Sequence, residues 1–327
     1  MKRILVTGGS GFIGSHFIRE HRRKYPADII VNLDRGDYCS HDVDVADPYV
    51  FVRGDICDAT LVQTILETYE IEVVVHFAAQ THVDNSFGNS VSFTRDNVVG
   101  THTLLECVKD KAIECFLHFS TDEVYGEVDD DHAGCDEGSL LNPTNPYAAT
   151  KAGAESMAMS YFHSYKVPVI VSRCNNVYGP YQYPEKLIPR YITALLDGTP
   201  CEIHGAGTQR RSFIHARDVA AAVDAILQHR HELLGKTVNI GTPNEHTVSD
   251  IARTLVSIIK GSDANTDEWI RHVKDPRPFN DKRYAIDTAK LMALGWSEDV
   301  DFMDGLHETL EWYREHRDFE WGMEDLQ

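Results

Sequence analysis

Through its first half the chain alternates short, continuously apolar runs with longer stretches in which apolar residues recur every three or four positions. The runs at 3–6, 29–33, 73–77, 116–119 and 167–171 read as strands buried on both faces. Between them, 13–23, 61–69, 98–109 and 152–165 carry the helical period. Strand alternating with helix predicts parallel strands joined by right-handed crossovers, hence a doubly wound α/β sheet. After Cys174 this rhythm breaks. Pro180, Pro184, Pro189, Pro200, Pro243, Pro276 and Pro278 interrupt the chain, and the strand-like pieces become brief. Helical spacing returns at 187–196, 216–229, 248–259 and 302–315. The expected organisation is one lobe over 1–174, a return to it near 213–240, and a smaller interleaved α/β lobe over 175–327.

A chain of 327 residues buries enough surface to form its core without disulfide or metal staples. Its net charge of −20 argues against nucleic acid and anionic membranes as partners, since both require basic patches. The densest acidic runs, 127–131 and 318–325, read as a solvated loop and tail. An anionic nucleotide can still bind where Arg, Lys and backbone N–H groups line its site. The seven cysteines (39, 57, 107, 115, 135, 174 and 201) are scattered, odd in number and form no C-x-x-C pair. They read as reduced thiols in a cytoplasm-like compartment, and no metal site is spelled out. Met1-Lys2-Arg3 leads straight into the first apolar run, too short for a signal peptide or a membrane span.

Thr7-Gly8-Gly9-Ser10-Gly11-Phe12-Ile13-Gly14 follows the first strand and opens the first helix. Glycines at 8, 11 and 14 let the backbone turn tightly, approach a pyrophosphate and pack helix on sheet, while the helix N-terminus offers free N–H groups. The next strand ends in Asp34, at the remove where a carboxylate meets the adenosine ribose. Together these predict a Rossmann site with Gly8, Gly11, Phe12, Ile13, Gly14 and Asp34 on the cofactor. Asp34 would repel a 2′-phosphate and favours NAD; Arg35 beside it keeps NADP open. Asp55 and Ile56 follow the third strand, where Asp55 either meets the adenine amino group or is an ordinary turn residue. Ala78 and Ala79 end the fourth strand and are small enough for close approach of the cofactor's second half.

Tyr147 and Lys151 are spaced i, i+4 and so share one helix face. With Ser120 or Thr121 at a strand end, they resemble the short-chain dehydrogenase/reductase superfamily, in its extended, sugar-nucleotide branch. A tyrosine with a reference pKa near 10 is no base at neutral pH. Lys151 and a positive nicotinamide ring would favour its phenolate, which then takes a proton from a sugar hydroxyl.

The resemblance narrows at Ser120-Thr121-Asp122-Glu123-Val124-Tyr125-Gly126, which is similar to the signature of the nucleoside-diphosphate-glucose 4,6-dehydratases. Further matching stretches are Ala79-Gln80-Thr81-His82-Val83-Asp84, Asn142-Pro143-Thr144-Asn145-Pro146-Tyr147, Asn175-Asn176-Val177-Tyr178-Gly179-Pro180, Pro184-Glu185-Lys186-Leu187-Ile188-Pro189 and Arg277-Pro278-Phe279-Asn280-Asp281-Lys282-Arg283-Tyr284. That resemblance implies catalytic roles for Thr121, Asp122, Glu123, Tyr147 and Lys151, the last two also touching NAD. Oxidation at carbon 4 of glucose acidifies the carbon 5 proton. Glu123 as carboxylate would remove it, and Asp122 as neutral acid would protonate the carbon 6 hydroxyl so that it leaves as water. Thr121 would bond the carbon 4 oxygen. Neighbouring carboxyls can hold different protonation states when their environments separate their pKa values.

For the substrate, the resemblance implies Lys186, Arg211 and Arg283 on the diphosphate, with Asn176 beside them. Arg210 is an alternative to Arg211. Leu187, His204 and Asn280 also fall on the substrate side. Asp84 and Asn97 are either sugar contacts or structural. Arg211-Ser212-Phe213-Ile214-His215, His204 and Asn280 depart from the bacterial thymidine-diphosphate pattern and resemble the UDP-glucose 4,6-dehydratases of plant rhamnose-forming enzymes, of which the chain carries the dehydratase portion. UDP-glucose is therefore the favoured substrate and dTDP-glucose its rival. Two other readings remain: a sugar-nucleotide 4-epimerase, which would leave Asp122 and Glu123 without a task, and a non-catalytic NAD-sensing module, which has no need of Tyr147 and Lys151. The resemblance also implies a homodimer through helices 98–109 and 152–165.

Overall fold

In the computed structural model, which describes residues 1–323, the strands of the first half are β1 (Arg3–Thr7), β2 (Ile29–Asp34), β3 (Tyr49–Arg53), β4 (Val73–His76), β5 (Cys115–Thr121) and β6 (Val169–Cys174). They are followed by β7 (Asn176–Tyr178), β8 (Cys201–His204), β9 (Arg210–His215), β10 (Thr237–Ile240), β11 (Glu245–Thr247) and β12 (Ile270–Val273). Residues 324–327, which include the end of the acidic tail, lie outside the described residues.

Seven strands form one parallel sheet in the order β10-β6-β5-β4-β1-β2-β3. The order runs one way from β1 to β3 and the other way from β4 to β10, which is the doubly wound arrangement and places a crevice at the carboxyl ends beside β1. Successive residues of one strand feed opposite layers. Ile4 and Val6 join the core beneath the helices Phe12–Lys24 and Ala216–Gln228, whereas Leu5 joins the one beneath Ala59–Thr68, Gly100–Val108 and Pro146–Tyr165. Burial on both faces explains why these strands read as unbroken apolar runs.

After Cys174 only β10 enters this sheet. The other strands make a β11-β9-β7 sheet and a β12-β8 pair. A third core, with Tyr178, Tyr191, Ile203, Phe213, Leu255 and Leu310, packs between them and the helices Leu187–Leu196, Val248–Lys260 and Phe302–Glu315. No helix among the described residues is long and apolar enough to cross a membrane.

Two helices begin away from their expected positions. The one expected from 152 starts at Pro146, with Asn145 as its N-cap. Its first two turns are alanine-rich and carry no apolar stripe, so periodicity misses them; a proline at the first helical position after a capping Asn marks the true start. The helix expected from 98 begins at Gly100 and continues a π-helical turn, Thr94–Val99.

Candidate active site

One long cleft runs along the carboxyl ends of the large sheet and under the helix Leu187–Leu196. At one end stands the glycine loop. Gly8 has a φ of +72°, and a Cβ there would lie 2.6 Å from the Ala78 backbone, so β1 and the chain after β4 approach closely only because residue 8 has no side chain. A Cβ on Gly14 would lie 2.3 Å from the Gly8 carbonyl oxygen. A Cβ on Gly11, the N-cap of the helix Phe12–Lys24, would meet only that oxygen, at 3.3 Å, so Gly11 leaves an open cradle beside the helix N-terminus. Phe12, Ile13, Ile56, Ala78 and Ala79 line the same end.

Asp34 ends β2 on the cleft wall. Its Oδ2 accepts from the Ser10 N–H at 3.0 Å, and its Oδ1 from the Gly36 N–H and the Ser40 hydroxyl at 2.9 and 3.1 Å. Burial raises its pKa above the ordinary carboxylate range, opposed by these bonds. Arg35 turns aside to Asp37 and Asp96, at 2.7 and 2.8 Å. Asp55 also lines the cleft, with its two oxygens taken by the Cys57 N–H and Arg95. An anionic 2′-substituent would therefore meet carboxylates here, with the Arg35 and Arg95 guanidiniums already paired. The donor set suits NAD.

The middle of the cleft is built where β5 ends. All seven of its residues are buried, and the chain then leaves the sheet through a single 3₁₀ turn, Asp122–Tyr125. Thr121 caps that turn by accepting the Glu123 N–H at 3.3 Å. Gly126 closes it with a φ of +78°; a Cβ there would strike the Asn142 carbonyl oxygen. The two carboxyls thus share a peptide but not an environment. Asp122 is 3 % exposed and accepts from the Asn175 amide at 2.7 Å. Burial and the neighbouring Glu123 push its pKa up to about 7, against the pull of Asn175, Arg211 and Thr121. Burial also raises Glu123, opposed by a 3.0 Å bond from the Asn145 amide and by the charges of Arg211 and Lys186. With both pKa values raised, the coupled pair can share one proton near neutrality.

Tyr147 and Lys151 project from the helix that Asn145 caps. Lys151 Nζ donates to the Phe119 carbonyl oxygen at 2.6 Å, and burial lowers its pKa to about 8. The Tyr147 phenol is pushed upward by burial, by Glu123 and by Asp122. Without a cofactor, the protein's own groups favour the protonated phenol. A cation arriving next to the ring is what would lower it.

At the far end, Lys186, Arg190, Arg211 and Arg277 bring positive charge to the cleft, with Asn176, Leu187, His204 and Asn280 among them. Arg211 faces inward and lies over the Tyr284 ring at 4.4 Å, whereas Arg210 pairs with Asp130 outside, which separates the two alternatives. Arg283 does not reach the cleft. It is paired with Glu245 and donates to the carbonyls of Asp129 and His132, so the expectation of a diphosphate contact there is not met. Asp84 lines the cleft, held by Arg277. Asn97 is buried outside it and fastens Gln80 to Thr150, a structural role. Arg190, Arg277, Asn145, Asn175 and Tyr284 are cleft residues that sequence reasoning did not assign; all but Arg190 lie within the matching stretches.

The sequence profile described as GDP-mannose 4,6 dehydratase matches residues 5–309. The chain belongs to this family. Within it, the chain is 49% identical over 98% of its length to a trifunctional protein of Arabidopsis thaliana named UDP-glucose 4,6-dehydratase/UDP-4-keto-6-deoxy-D-glucose 3,5-epimerase/UDP-4-keto-L-rhamnose-reductase. The chain spans about half the length of that relative, 48%. It is 45% identical to the dTDP-D-glucose 4,6-dehydratase of Mus musculus, over 96% of this chain and 89% of the mouse protein. Among solved structures, the dTDP-glucose 4,6-dehydratase of Streptomyces venezuelae with NAD bound superposes with a TM-score of 0.89 at 39% identity, covering 97% of this chain and 98% of that one.

Proposed function

We propose that this chain is an NAD-dependent nucleoside-diphosphate-glucose 4,6-dehydratase that converts UDP-glucose, or dTDP-glucose, to the 4-keto-6-deoxy sugar and water. The observation that carries the reading is the pair of adjacent carboxyls at the end of β5, with Asp122 raised to about 7 and Glu123 held by a separate donor, facing the same cleft as Tyr147 and Lys151. An epimerase has no task for them. NAD, when bound along Gly8, Gly11, Gly14 and Asp34, supplies the acceptor and later the donor of hydride, so that no external reductant is needed.

The remaining work belongs to the chain. Tyr147 takes the proton of the carbon 4 hydroxyl, and Thr121 holds that oxygen in place. With carbon 4 a ketone, Glu123 removes the carbon 5 proton. The electron pair left behind expels the carbon 6 oxygen, which Asp122 protonates so that it departs as water. Lys186 and Arg211 hold the diphosphate, with Asn176 alongside. Arg277 lies on the same wall of the cleft.

UDP-glucose is favoured by His204, Asn280 and the Arg211-Ser212-Phe213 departure, and by the similarity to the plant sequence. A homodimer would use the helices over 98–109 and 152–165, which expose Val99 and Tyr165 at opposite ends of the pair. A reducing, cytoplasm-like setting agrees with cysteines that are all free among the described residues. Incubation with UDP-glucose and with dTDP-glucose tests the whole reading. A keto-deoxy product supports it; a 4-epimer or unchanged substrate rules it out.

A further inference from the structure

Beyond Glu123 the cleft wall contains a chain of hydrogen-bonding groups that the steps above leave unused. The Tyr284 hydroxyl lies 3.4 Å from Glu123 Oε2 and 2.5 Å from Asp281 Oδ2. The same Asp281 oxygen accepts from the Thr144 hydroxyl at 2.5 Å. Asp281 is 2 % exposed, and its Oδ1 is buried without a partner. Thr144 is only half-buried.

As pure architecture this arrangement is costly. A buried carboxylate is ordinarily paired with a cation or saturated with donors. Asp281 has neither, for Arg211 donates to its backbone carbonyl at 2.8 Å and not to its carboxylate. Its two partners are hydroxyls, groups that both give and accept a proton. The other donor to Glu123 Oε2 is the Asn145 amide, which cannot relay one. Tyr284 has a single proton to place between two carboxylates.

We propose that Asp281, acting through Tyr284, is the relay by which the proton taken up by Glu123 exchanges with solvent while the sugar fills the cleft. This rests on the dehydratase reading and makes Asp281 a positioning residue, since it does not touch the substrate. The carbon 5–hydrogen bond breaks onto Glu123. Glu123 then gives its proton to the Tyr284 oxygen as Tyr284 gives its own to Asp281 Oδ2, and Asp281 passes one through the Thr144 hydroxyl to water. No electrons move, Tyr284 ends unchanged, and the same path in reverse brings a solvent proton to Glu123 for return to carbon 5. Burial and Glu123 hold the Tyr284 phenol protonated, so the two transfers are concerted and pass through no free phenolate. The Arg211 guanidinium over the ring favours charge building on its oxygen during the hop.

The test is turnover in deuterium oxide by the NAD-loaded protein, with deuterium at carbon 5 of the product read by mass spectrometry. This isotope content reports the competition between exchange of the Glu123 proton and its return to carbon 5, and a variant that merely slows the reaction leaves more time for exchange and does not lower it. The wild type is expected to place deuterium at nearly every carbon 5. Asp281→Asn is expected to return the original protium, so that deuterium there falls by about half or more. Thr144→Val, which spares Asp281 and Tyr284, is read by the same criterion if Asp281→Asn does not fold. Wild-type deuterium content in the variant, or protium retained by the wild type, overturns the relay. Absence of any keto-deoxy product from the wild type is a different failure, that of the dehydratase reading itself.

Discussion

Asn145 holds Glu123 with its amide nitrogen, at 3.0 Å, while its amide oxygen caps the helix that carries Tyr147 and Lys151, at 2.8 Å to the Ala148 N–H. One side chain thus ties Glu123, the proposed carbon 5 base, to the Tyr–Lys pair.

The two duties can be separated. Asn145→Asp retains a capping oxygen but places a like charge beside Glu123 and removes its donor. Glu123 then becomes ionised only at higher pH, so the acid limb of kcat/KM is expected to move upward while Tm changes little. Asn145→Ala loses the cap as well and is expected to cost about 1 kcal/mol of stability. A pH–rate profile and thermal melts of both variants check this. An unshifted acid limb in Asn145→Asp would show that the amide does not tune the base.

Tyr147→Phe is expected to lower kcat by about 10²- to 10⁴-fold, since it removes the proposed acceptor of the carbon 4 proton. Substrate affinity measured by calorimetry should remain within a few-fold, because Lys186 and Arg211, the residues proposed to hold the diphosphate, lie elsewhere in the cleft. Near-normal turnover would assign that proton to another group.

The glycines of the first loop should respond differently to the same methyl group. Gly8→Ala puts a Cβ on the Ala78 backbone and forces a positive φ on alanine, so both stability and NAD content should fall, stability by about 1–3 kcal/mol. Gly11→Ala meets almost nothing within the protein. Its melting temperature should hold while co-purified NAD drops, as cofactor extraction would reveal. Equal loss of stability in both variants would mean that the Gly11 cradle is a packing feature.

Asp122 adds a pH-dependent term to stability. Its folded pKa, about 7, lies above its unfolded value, so the folded state holds a proton that the unfolded chain releases. Stability from this group is greatest at low pH and is lost as pH rises through about 7. Asp122→Asn should therefore stabilise the inactive protein increasingly between about pH 5 and pH 8, by on the order of 2 kcal/mol over that span. Denaturant melts at both ends check the sign; a gain larger at low pH contradicts it.

The large sheet was legible because its strands are short and buried on both faces, which leaves unbroken apolar runs. The glycine loop, Asp34 and the Asp122-Glu123 pair were legible because their chemistry is local to a few adjacent residues. What escaped depends on distant partners. Arg277 and Arg283 stand in one stretch with nothing to tell them apart; Asp84 draws one into the cleft and Glu245 draws the other away. Apolar spacing alone sets the start of this helix too late, because Tyr147-Ala148-Ala149-Thr150-Lys151 carries no apolar stripe, while the i, i+4 spacing of Tyr147 and Lys151 already places them on a helix. The π turn at Thr94–Val99 leaves no mark on apolar spacing either.

The place of β10 at the edge of the large sheet has a consequence for how the chain is made. β6 pairs with β10 through Val171 to Cys174, yet the residues of β10 leave the ribosome long after β6 does. Throughout that interval the backbone edge of β6 is open to any strand that can pair with it, including one from a neighbouring nascent chain. The order of synthesis thus leaves this edge unpaired until β10 arrives, even though β10 covers it in the finished molecule.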